Sequence, residues 1–200
     1  MKGSIIIVSF FILGTLLGFY GIIPTYLIEN DLSFYVLCGL MFCVGLSIGN
    51  DTKTLKSFRS LNPRFYLLPL ATIIGTLAGC ALIAFLLPNR TIAESMAVGS
   101  GFGYYSLSSI FITEYKGAEL GTIALLSNII REILALLFAP FLVKYFGKLA
   151  TISVGGATTM DTTLPIILKF SGKEFLVIAI FHGFILDLSV PFLVTFFCSL

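Results

Sequence analysis

Charge is what this 200-residue chain has least of. Lysine, arginine, aspartate and glutamate make up 11% of it, against about a quarter in a water-soluble domain. With 58% hydrophobic residues and a mean hydropathy of +1.05, that scarcity excludes a soluble core and points to one helical membrane domain. The net charge of +2 is too small to argue for a nucleic-acid partner. The alternating pattern of a membrane β-barrel is also missing, because the apolar runs are continuous. Cys38, Cys43, Cys80 and Cys198 all sit in apolar runs, and no pair has metal-ligand spacing. They read as inert packing thiols, and no metal or cofactor is expected. The opening run, MKGSIIIVSFFILGTLLGFYGIIP, lacks a small-residue cleavage site, so it reads as a retained span and not a signal peptide. No GxGD string is present, which argues against an intramembrane protease built on paired aspartates.

What the chain does have is apolar runs near 20 residues, the length that crosses a bilayer core of roughly 30 Å. Five read as full spans, at about 4–23, 32–49, 65–88, 120–143 and 175–199. Two more segments, 95–113 and 150–170, are rich in glycine and hydroxyl residues and read as re-entrant or broken helices. If both return to the side they left, nine lysines and arginines lie in the cytoplasm, only Arg90 and Lys116 lie outside, and Arg131 lies within a span. If both cross, the bias weakens to about six against five. The first arrangement puts the N-terminus in the cytoplasm and the C-terminus outside.

A repeat follows from it. Two N-terminal spans occupy 1–64; residues 65–119 and 120–174 are each a span plus a hairpin, of opposite orientation; 175–200 is the final span. At the 55-residue offset Gly101 falls on Gly156 and Ser106 on Asp161. Paired interrupted segments in two halves of a chain are a pointer to a transporter binding site.

The second hairpin, 155-GGATTMDTTLP-165, holds a carboxylate where irregular backbone must be buried in protein or line a wet cavity. Gly156 and its neighbour permit a bend, and Pro165 is expected to end or kink a helix near Asp161. Thr158, Thr159, Thr162 and Thr163 can satisfy freed backbone groups or bind a solute. The first hairpin, 99-GSGFGYYSLSS-109, offers Ser106, Ser108 and Ser109 without a charge. Its G-x-G-x-G pattern has no preceding strand and is not a dinucleotide fingerprint. The alternative is that both hairpins are packing elements whose small residues let helices approach.

Other polar residues lie deep in the spans: Asn128, Arg131 and Glu132 in one, His182 and Asp187 in the last. Pro191 leaves the Asp187 carbonyl without its helical partner. One reading is an ion-pair network joining Arg131 to Asp187 or Glu132, with His182 a satisfied core residue. The other is a cation site with His182 as proton relay. Glu132, Asp161 and Asp187 against Arg131 sum to −2, and each uncompensated charge in a membrane is costly. Bound protons, a cation or a cationic substrate must balance them.

The strings 99-GSGFGYYSLSSIFITEYKGAELGTIALLSNIIREILALLFAPFLVKYFG-147 and 155-GGATTMDTTLPII-167 closely resemble the LysO-type lysine exporters of the bacterial inner membrane. The resemblance implies a multi-pass secondary transporter exporting L-lysine and toxic lysine analogues, driven by the proton gradient. It implies that membrane-embedded acidic residues matter, with the aspartate of GATTMD at Asp161. Family members are longer, with a further N-terminal membrane portion, so a small membrane partner or a homodimer is expected. A sodium–proton or other cation antiporter is the competing reading, and a purely scaffolding subunit a third.

Overall fold

The computed structural model describes residues 61–200 continuously, together with 56–59 and isolated positions between 13 and 50. The chain divides into two units, Met1–Thr52 and Lys53–Leu200, and the second carries the architecture below. The expected spans at 4–23 and 32–49 fall outside the described residues apart from those isolated positions.

Every regular element among the described residues is helical. Three stretches are long and apolar enough to cross a membrane: Pro63–Ala84, Ala118–Phe146 and Lys173–Cys198. The shortest has 22 residues, which at about 1.5 Å per residue covers a bilayer core of roughly 30 Å. They contain helices α1 (Leu67–Ala84), α4 (Ala118–Phe146) and α7 (Leu176–Cys198), matching the expected runs at 65–88, 120–143 and 175–199.

The two glycine-rich segments are helices broken in the middle. The first is α2 (Ile92–Gly99) and α3 (Tyr105–Lys116); the second is α5 (Ala150–Gly155), a 3₁₀ turn (Gly156–Met160) and α6 (Leu164–Phe170). Thr91 and Glu94 start α2 with a reciprocal capping box. Pro165 does not end a helix as expected; it stands in the first turn of α6, where its missing amide has no partner to lose. Pro191 lies inside α7, which continues through it.

Each broken segment is a hairpin with its two ends tied together. Arg90, just before α2, forms an ion pair with Glu119, just after α3. At the second hairpin, the Ser171 hydroxyl donates to the Lys148 carbonyl at 2.9 Å and lies 2.7 Å from Thr151 Oγ1. The Lys148 ammonium donates to Glu174 at 2.9 Å. Ile152 and Ile167, one from each leg, are buried with Ile178 and Ala179 of α7. The first base therefore sits beside the start of α4 and the second just past its end. The two bases lie at opposite ends of α4, and the two tips meet near its middle.

Candidate functional site

The tips touch through backbone. Ala157 N–H donates to Phe102 O at 2.9 Å. Gly156, with φ +68 and ψ −132, sits against the same carbonyl, and a Cβ there would collide with Phe102 O. Only glycine combines that conformation with that approach. On the opposite side Gly183 of α7 lets the 3₁₀ turn come close; a Cβ there would stand 2.8 Å from Met160 N and 3.0 Å from Ala157 O.

Breaking a helix in a membrane leaves carbonyls without intrahelical donors, and α4 supplies them. The Asn128 amide donates to Val98 O (3.2 Å), near the end of α2, and to Ala124 O (2.9 Å). Its Oδ1 accepts from Gly103 N–H at 2.8 Å. One turn on, Arg131 serves the second hairpin. Nε donates to Val154 O at 3.0 Å and Nη2 to Ser153 O at 3.1 Å, both in the last turn of α5. A cation suits the negative end of that helix. Nη1 reaches Thr76 Oγ1 at 3.4 Å, and the guanidinium lies 5.9 Å from the Phe102 ring centroid. An ion pair of Arg131 with Asp187 or Glu132 is not formed among the described residues. Arg131 is turned toward carbonyls instead, and Glu132 points elsewhere because neighbours on a helix diverge by about 100°.

His182 is completely buried and clamped. Nε2 lies 3.0 Å from Thr72 Oγ1 on α1, and Nδ1 3.4 Å from Thr159 Oγ1 on the second tip. Thr159 donates to Gly156 O and Ala179 O, both near 2.9 Å. Since Thr159 spends its proton on carbonyls, the network assigns the ring proton to Nδ1 and leaves Nε2 to accept from Thr72. This is the satisfied core histidine, joining α1, the second tip and α7.

The expected candidates thus divide. Asn128, Thr158 and Thr159 are buried and engaged with the hairpin backbone, Thr158 donating to Gly155 O at 2.9 Å. Ser108 is buried and donates to Tyr104 O, and Ser109 donates to Ser106 O. Ser106 and Thr162 stay exposed, and Thr162 N–H donates to the Asp161 carboxylate. Asp161 is exposed where the 3₁₀ turn ends. Asp187 is 7% exposed, and its carboxylate makes no hydrogen bond or ion pair among the described residues. Asp187 stands one turn after Gly183, which abuts Met160, the neighbour of Asp161, so the two carboxylates flank the same contact between α7 and the second tip. Tyr104 immediately precedes α3, whose first amides lack intrahelical acceptors. The candidate site is two carboxylates at the contact of α7 with the second tip, both reaching the surface, and the positive end of the half-helix α3 in the first hairpin.

Tyr104, Thr72 and Thr76 were not singled out by sequence. Thr72 and Thr76 sit one helical turn apart, which is the only signal that they share a face. Tyr104 lies inside the glycine-rich string, where nothing in the pattern marks it.

Comparison with known proteins identifies the family. The family description "Lysine exporter LysO" matches residues 8–198. The lysine exporter LysO of Escherichia coli is 36% identical over 170 residues, covering 85% of this chain and 56% of that protein. A putative lysine exporter of Haemophilus influenzae is 38% identical over 170 residues, covering 85% of this chain and 86% of that protein. No solved structure matches the chain. The matched region spans little more than half of the E. coli protein. With its apolar helices and a family match over nearly its whole length, this membrane protein belongs to the lysine exporter LysO family.

Proposed function

We propose that the chain exports L-lysine, and toxic analogues of it, across the bacterial inner membrane in exchange for protons. The observation that carries this reading is Asp187, a carboxylate on a largely buried helix residue that reaches the surface with no hydrogen-bond or ion-pair partner among the described residues, one turn from where Gly183 abuts the Asp161 segment. Two carboxylates in a membrane require positive charge. A lysine ammonium and a proton are alternative ways to supply it, and their exchange couples export to proton entry. The lysine carboxylate then meets the first-turn amides of α3 near Ser106, the polarity that a half-helix N-terminus favours. Arg131 and Asn128 act as positioning residues that hold the tips, not as ligands of this site.

The transport path is an inverted repeat of 65–119 and 120–174, with both hairpins re-entrant. Residues on a pseudo-twofold axis touch their own equivalents. Three contacts join positions 55 apart: Phe102 with Ala157, Gly103 with Thr158, and Thr76 with Arg131. In this topology the first hairpin enters from the periplasm and the second from the cytoplasm, with the N-terminus cytoplasmic and the C-terminus periplasmic. The exposure of Asp161 supports a further wall supplied by a small membrane partner or a second copy.

The test is gradient-driven uptake into inverted membrane vesicles. An imposed proton gradient drives labelled lysine into them, and a sodium gradient does not. Sodium movement without lysine movement would overturn this reading in favour of a cation antiporter.

A further inference from the structure

A cavity of about 440 Å³ opens between α1, α2 and α4, and it takes no part in the carboxylate site. Its lining changes with position along the helices: Thr76, Ser127 and Arg131 lie toward one end, here called the floor, Ile83, Val98 and Ile123 between, and Arg90 and Glu94 toward the other, here called the mouth. Arg131 has five N–H donors, of which three serve Val154, Ser153 and Thr76. Two remain, and no carboxylate among the described residues takes them. A deep guanidinium with spare donors at the end of an apolar cavity suits an anion carried on an aliphatic body.

The mouth adds the third requirement. Glu94 lies five residues before Gly99, which lines the cavity, so it stands about 7.5 Å farther along α2. Five single bonds separate the α-carbon of lysine from its terminal nitrogen, an extended reach of about 6 Å. We infer that this cavity is a second binding site for lysine, with the carboxylate on Arg131, the methylene chain on the aliphatic walls and the ammonium at Glu94. The inference rests on the proposed function above. On the proposed topology the mouth faces the periplasm, so the cavity is a release vestibule. Its floor is the Arg131–Thr76 contact, which also borders a shallower cavity lined by Thr72, Gly75, Ser153 and Val154 on the other side.

The experiment is equilibrium binding of labelled L-lysine to the chain in native membrane vesicles. The chain is compared as wild type, Glu94→Gln, Ile123→Trp and Asp161→Asn. Glutamine keeps the capping box and removes only the charge; tryptophan fills the wall without touching the hairpin tips. Wild type is expected to bind two lysines per chain. Glu94→Gln and Ile123→Trp are each expected to lose one site and keep the other, and Asp161→Asn to lose the complementary one. Binding in Glu94→Gln and Ile123→Trp that matches wild type overturns the vestibule site and leaves the carboxylate site standing. No lysine bound by wild type overturns both.

Discussion

Asp187 is a carboxylate on a largely buried residue of α7 with no partner among the described residues, and Asp161 lies at the break in the second hairpin that abuts the preceding turn of α7. Asp187→Asn removes the charge and keeps the shape, so the protein reaches the membrane at normal level. Lysine efflux is expected to fall more than about tenfold, the loss that follows from deleting one partner of a desolvated charge contact. Gly156→Ala acts differently. It forces a side chain into a glycine-only conformation against Phe102 O, at a cost of about 1–3 kcal/mol. A lower Tm in detergent is expected together with reduced efflux; an unchanged Tm would contradict the close approach. Both aspartates and the glycine were legible in the sequence, because a charge or a sharp bend inside an apolar run needs a reason. The roles of Asn128 and Arg131 were not. Their spacing fixes which face of α4 they occupy, but not which orphaned carbonyl a distant hairpin will bring to that face.

At the scale of elements, α4 organises the site by closing the ends of two half-helices with side chains one turn apart. Arg131→Lys keeps the charge but cannot fork to Val154 O and Ser153 O together. It is expected to lose stability and transport jointly, whereas a pure charge-balancing role would tolerate lysine; thermal stability and efflux of the one variant separate the two. Asn128→Ala strands the buried Gly103 amide, which costs about 1–3 kcal/mol and is read as a lower Tm. The base of the second hairpin is more forgiving. Its Lys148–Glu174 pair is exposed and screened, so Glu174→Gln is expected to leave neutral-pH efflux near wild type. The interruption of these two segments was legible from glycine and hydroxyl content. Where Pro165 falls in its helix was not, since proline is compatible with both the end and the first turn of a helix.

For the molecule as a whole, the two broken segments have their bases at opposite ends of α4 and meet where residues 55 apart touch; the proposed inverted repeat puts those bases on opposite sides of the membrane. The three apolar spans were readable from length alone; the meeting of the tips was not, because a backbone contact such as Ala157 N–H to Phe102 O leaves no trace in side-chain pattern. Single cysteines at Glu119 and Glu174, in a background with the native cysteines replaced, are expected to react with a membrane-impermeant thiol reagent from opposite sides. Labelling from the same side would contradict the inverted arrangement. The most direct test of the central claim is efflux of labelled lysine from preloaded cells producing wild type or Asp161→Asn at equal membrane level. Efflux is expected to depend on the chain and to be lost with Asp161. Full efflux from the asparagine variant would contradict it, because the cation would then cross without the carboxylate set in its path.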